Sequence, residues 1–86
     1  MKVIKVFSPT CGPCKVLEKN LKEAGIDYID ADISTDMGAS IADKYGVRNV
    51  PTLLLVDEND NLVSSLGGIQ SVEKLKGLKE TLNETN

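Results

Sequence analysis

At 86 residues, with 41% hydrophobic residues and a net charge of −3, the chain has the size and balance of one globular domain, 1–86, with a single core. The slight acidity argues against a nucleic-acid or anionic-membrane partner, and no stretch approaches the roughly 20 apolar residues of a membrane span. Met1-Lys2 leads into strand-like residues, not into the apolar core of a signal peptide, which predicts a cytoplasmic chain. In such a compartment a disulfide is more often transient and catalytic than structural.

Val3 to Phe7 reads as a buried strand, apolar and β-branched except at Lys5, and Ser8-Pro9-Thr10 breaks it. From Pro13 the apolar positions Val16, Leu17, Leu21 and Ala24 recur at helical spacing, with Gly25 placed as the C-terminal cap. Pro13 falls in the first turn, where no backbone N–H is required. The only two cysteines, in Cys11-Gly12-Pro13-Cys14, therefore stand at a strand-to-helix junction. At a helix N-terminus, unpaired N–H groups and the positive dipole end stabilise a thiolate at Cys11, and the thiolate is the form that attacks a disulfide. A structural staple fits poorly, because so short a loop constrains little of the unfolded chain. Structural zinc wants four ligands, and two cysteines without histidine supply half a site, leaving a metal or cluster shared across a dimer as an alternative. Two inert thiols are a third reading, and the neighbouring βαβ pattern favours redox chemistry.

Ile26 to Ile33 reads as a second strand, with Ile26, Tyr28 and Asp30 on one face and Ile29, Ala31 and Ile33 on the other. Ser34 or Thr35 caps a second helix, whose Met37, Ile41 and Tyr45 form a core stripe and which Gly46 closes. Thr52 to Val56 is a continuous apolar run, expected of a strand covered on both faces. After the polar turn 57–61, Leu62 to Leu66 returns antiparallel to it, and Gly67-Gly68 ends that strand. Ser71 caps a last helix with Val72, Leu75, Leu78 and Leu82 facing inward, and Asn83 to Asn86 should fray. The order is thus β-α-β-α-β-β-α. Right-handed crossovers make a four-stranded mixed sheet of order 2-1-3-4, with helices on both faces and Cys11 at the carboxyl end of a central strand.

Two motifs make the chain resemble the thioredoxin family: Cys11-Gly12-Pro13-Cys14, and Tyr45-Gly46-Val47-Arg48-Asn49-Val50-Pro51-Thr52 running into the apolar strand. The resemblance implies a thioredoxin-like fold and a thiol–disulfide oxidoreductase that reduces protein disulfides without a bound cofactor or metal. It also implies that Cys11 attacks, that Cys14 resolves, and that Pro51 is a cis-proline beside which the Val50 backbone pairs with substrate. Gly12, Pro13 and Gly67 complete the implied substrate surface. On residue chemistry alone, Pro51 reads as a trans proline opening a strand, and only the resemblance favours cis. The implied partners are protein disulfides and an electron donor, either a thioredoxin-reductase-type enzyme or glutathione, acting on a monomer.

The sequence also departs from the family pattern. Thr10 stands where thioredoxins usually carry a tryptophan, and the extra N-terminal strand and helix of longer thioredoxins are not represented. Ser8-Pro9-Thr10-Cys11 and Leu66-Gly67-Gly68 are similar to glutaredoxin segments, so a glutathione-dependent oxidoreductase is the alternative, with Lys15 and Arg48 as candidates for glutathione's carboxylates. Thioredoxins commonly bury a carboxylate six residues before the first cysteine, near a lysine on the adjacent strand. Here those positions are Lys5 and Asp32, as though the charges were swapped. Taken alone, Lys5 snorkels to solvent and Asp32 sits at a strand end. A buried Lys5–Asp32 pair would instead tune Cys14, and removing Lys5 would then strand a buried charge at a cost of about 3–5 kcal/mol.

Overall fold

The computed structural model describes residues 1–84, and its elements are β1 (Lys2–Phe7), α1 (Gly12–Ala24), β2 (Ile29–Asp32), α2 (Asp36–Lys44), β3 (Thr52–Val56), β4 (Leu62–Gly67) and α3 (Val72–Glu84). The sheet order is β2-β1-β3-β4, with β1 parallel to β2 and antiparallel to β3, and β3 antiparallel to β4. This is the order expected from the crossovers. All five residues of β3 are buried, as a strand covered on both faces requires.

Strand alternation divides the core in two. Val3, Leu53 and Leu55 pack under α1 and α3 with Leu17, Leu21, Ala24, Ile26 and Leu75. Ile4, Val6, Ala31, Leu54 and Val56 pack under α2, against Ile41, Ala42 and Tyr45. Lys5 and Phe7 follow Val3 onto the α1 face. The carboxyl ends of β1, β2 and β4 and the amino end of β3 share one end of the sheet. Among the described residues, no helix is long and apolar enough to cross a membrane.

Several local expectations are corrected by packing. The second strand begins at Ile29, not Ile26. Gly25 takes the left-handed conformation at φ 72°, and Ile26 N–H then bonds the Leu21 carbonyl at 3.1 Å. That capping turn tucks Ile26 into the core beneath α1 before the chain extends. Val16 is exposed, because the inward stripe of α1 runs through Cys14, Leu17, Leu21 and Ala24. Met37 is 64% exposed, so the core stripe of α2 keeps only Ile41 and Tyr45 of the expected three. Asn83 and Glu84 are still helical; Thr85 and Asn86, the rest of the tail expected to fray, lie outside the described residues.

Gly38 has a packing role that its helical position does not announce. Thr35 Oγ1 caps α2 by accepting from Gly38 N–H at 3.1 Å, and a Cβ on Gly38 would run into the backbone of Asp32. The first turn of α2 therefore lies directly on the end of β2. Gly38→Ala should destabilise the fold by about 1–3 kcal/mol through overpacking against backbone, despite alanine's better helix propensity. A urea midpoint that rises would refute this.

Candidate active site

β1 ends at Phe7, and Ser8 to Thr10 turn the chain, with Cys11 N–H donating to the Ser8 carbonyl at 3.2 Å. Cys11 is then the N-cap of α1, in extended conformation, with Pro13 in the first turn. Its Sγ accepts a hydrogen bond from Cys14 N–H at 3.1 Å. A sulfur in this position meets an otherwise unpaired helix N–H and the positive end of the dipole, both of which favour its anionic form. Cys11 and Cys14 are joined as a disulfide with their Cα atoms 5.3 Å apart. Their exposures differ. Cys11 is half-buried between solvent-facing Gly12, Pro13 and Thr10, whereas Cys14 is 3% exposed on the inner face of α1.

The other segments singled out in the sequence reach the same end of the sheet. Val6 pairs with Thr52, and Thr52 with Gly67, which sets Val50-Pro51 beside the end of β1 and Gly67-Gly68 on the far side of β3 at the same end of the sheet. The Val50–Pro51 peptide is cis. Gly68, at φ 82°, donates its N–H to the Pro51 carbonyl at 2.9 Å, tying the two loops together. Val50 is half-buried and Gly67 exposed. Gln70 was not anticipated. It is buried, donates Nε2 to the Gly67 carbonyl at 3.0 Å, and accepts on its own carbonyl from Asn20 Nδ2 at 2.9 Å, which fastens the loop after β4 to α1.

Lys5 is buried, but its partner is not Asp32. Its Nζ lies 3.0 Å from Asp30 Oδ1 and 3.7 Å from Glu18 Oε2. The ring centroids of Phe7 and Tyr28 are 4.4 Å and 4.9 Å away. The parallel register explains the correction: Lys5 pairs with Asp30, while Asp32 pairs with Phe7 at the strand's end. There the Asp32 carboxylate accepts from Ser34 N–H at 2.8 Å and from Ser34 Oγ at 2.7 Å. Asp32 thus secures the turn into α2 and does not meet the lysine. Glu18 also accepts from Lys22, and this bond, followed by the charge of Lys5, holds its carboxyl below the usual range. Burial first, and then the charges of Glu18 and Asp30, raise the Tyr28 phenol. Lys15 and Arg48 are both exposed. Among the described residues, no three histidine, cysteine or acidic side chains cluster as metal ligands.

The thioredoxin family model matches residues 1–83. The chain belongs to the thioredoxin family. A probable thioredoxin of Archaeoglobus fulgidus is 40% identical over 87 residues, covering 93% of this chain and 96% of that one. A mutant thioredoxin from Halobacterium salinarum superposes with a TM-score of 0.76 at 30% identity, over 92% of this chain and 71% of the other. Thioredoxin 1 of Thermosipho africanus matches 99% of this chain and 97% of its own at a TM-score of 0.73; at 20% identity it speaks for the fold alone. As a member of the family with a Cys-x-x-Cys pair, the chain is a thiol–disulfide oxidoreductase. The glutaredoxin alternative is not favoured.

Proposed function

We propose that this thioredoxin-family chain reduces protein disulfides through a Cys11–Cys14 dithiol that cycles with its disulfide. The observation that carries this reading is the inequality of the two sulfurs: Cys11 caps the helix at the surface, and Cys14 is covered behind it. Cys11 thiolate attacks a substrate sulfur and expels the other as a thiolate, leaving a mixed disulfide. Cys14 then loses its proton and attacks Cys11 Sγ, which releases the second substrate thiolate and closes the Cys11–Cys14 disulfide. Two electrons have passed to the substrate, and a donor must return them. Val50, with Pro51 buried behind it, offers backbone for an extended substrate segment to pair with, while Gly12, Pro13 and Gly67 form the surrounding surface. The chain acts as a monomer in a reducing compartment such as the cytoplasm.

The test supplies a disulfide-bonded protein and compares turnover driven by a thioredoxin reductase with turnover driven by glutathione. Efficient recycling by the reductase, with a potential near about −270 mV, is expected, because Gly12-Pro13 between the cysteines tunes the pair as in thioredoxin. Recycling by glutathione alone, with a potential in the glutaredoxin range of about −200 to −230 mV, would overturn the reading.

A further inference from the structure

The two loops on which a substrate would lie are braced differently. The Val50–Pro51 segment is held locally: Pro51 is buried, and Thr52 Oγ1 donates to the Asn49 carbonyl across it at 2.7 Å. The segment after β4 lacks such packing. Gly67, Gly68 and Ile69 are all exposed, and consecutive glycines have more conformational freedom to lose than any other pair. What fixes this segment is Gln70, which is 6% exposed. A carboxamide neither titrates nor carries electrons, so the redox cycle itself gives Gln70 no task. An apolar side chain of the same length would fill the space with no polar group to satisfy, so what Gln70 adds is its bonds.

Those bonds run in series from the active-site helix. Asn20 lies on α1, beyond Cys14 by about 9 Å at the helical rise per residue. Its Nδ2 donates to the Gln70 carbonyl at 2.9 Å, and Gln70 Nε2 donates to the Gly67 carbonyl at 3.0 Å. Gly68 N–H then donates to the Pro51 carbonyl at 2.9 Å. The helix that carries the sulfurs is thus hydrogen-bonded, through Gln70, to both loops. None of the three bonds includes a sulfur.

We propose that Asn20 and Gln70 are positioning residues for substrate binding, a latch that holds Gly67-Gly68, and with it the Pro51 carbonyl, in fixed relation to α1. This rests on the reading that an extended protein segment lies beside Val50 and Gly67. Without the latch the glycine pair samples other conformations, and a substrate engages only the fraction that is correctly placed, so its apparent affinity falls by that fraction. Thiol reactivity stays with the N-cap of α1, which the latch does not touch.

The test mixes reduced protein with two oxidants: a synthetic uncharged peptide closed by one disulfide, which has backbone to lie across the loops, and an uncharged dipyridyl disulfide, which has none. Gln70→Met keeps the length of the side chain and removes the amide. Its second-order rate constant for the peptide should fall about fivefold, the factor of one typical hydrogen bond, while that for the dipyridyl disulfide stays within about twofold. Asn20→Ala, at a half-buried position, should act in the same direction. The double variant should be no slower than the slower single, because links in series fail together. If Gln70→Met fails to fold, Asn20→Ala carries the comparison of oxidants by itself. Equal slowing with both oxidants, no slowing with the peptide, or single effects that multiply in the double variant would overturn the latch and leave the oxidoreductase reading intact. Wild-type protein that reacts with the dipyridyl disulfide but not with the peptide would overturn the protein-disulfide reading itself.

Discussion

Cys11→Ser should abolish protein-disulfide turnover and form no mixed disulfide, whereas Cys14→Ser should accumulate a stable one-to-one adduct through Cys11. The asymmetry follows from where the chain puts each sulfur. Cys11 Sγ lies at the N-cap, accepts the Cys14 N–H, and belongs to a half-buried residue that a second protein can reach. Cys14 is 3% exposed, so its accessible reaction is with its own neighbour three residues back. With the neighbour gone it cannot begin the exchange; with Cys14 gone the exchange starts and stalls. Intact-mass spectrometry after incubation with an excess of a disulfide-bonded protein separates the outcomes. In wild-type reduced protein, a limiting alkylating agent should modify Cys11 first. Equal trapping by the two serine variants, or equal alkylation of the two thiols, would remove the division of roles.

Glu18→Gln combined with Asp30→Asn should destabilise the fold by about 3 kcal/mol, far more than Lys5→Met does. Removing both carboxylates leaves the buried Lys5 ammonium without an ionic partner, a loss of about 3–5 kcal/mol in comparable sites. The rings of Phe7 and Tyr28 remain against it and keep the loss at the low end of that range. Lys5→Met reverses the situation. It leaves two carboxylates that water already reaches, so its cost should be about 1 kcal/mol or less, not the loss expected had Asp32 been a buried partner. The triple variant should regain most of the stability of the wild type. Urea midpoints of the three proteins decide the matter, and a double variant as stable as Lys5→Met would mean that Lys5 does not depend on its carboxylates. Acid should act in the same direction. The Glu18 carboxyl is held below its ordinary value of 4.5, so its contribution is complete above that pH and is lost as pH falls through the depressed value.

Local chemistry carried much of the molecule in plain view. The apolar run 52–56 demanded a strand buried on both faces, and Gly25 ended the first helix by accepting a positive φ. Two cysteines around Gly12-Pro13 at a strand-to-helix junction specified both the helix start and the sulfur that caps it. With the handedness of βαβ crossovers, those features yield the sheet order and put the cysteines at its end. They depend on neighbours within a turn or two of chain, and so the sequence by itself determined them.

What it left open depends on register and on faces that meet across long separations. Whether Lys5 met Asp30 or Asp32 turned on a two-residue shift between parallel strands. Both carboxylates lie on the same face of β2, so alternation cannot distinguish them, and only the docked strands choose. Glu18 carried a usable signal, its place one turn after Cys14, but nothing local says that a lysine in β1 comes beneath it. Gln70 and Asn20, 50 residues apart, meet only because α1 and the loop after β4 cover the same side of the sheet. Gly38 looks like a weak point in a helix until the end of β2 is seen to occupy the space its side chain would fill. Ion pairs, buried amides and close backbone approaches are set by a few ångströms of placement, and that placement exists only once the layers have packed.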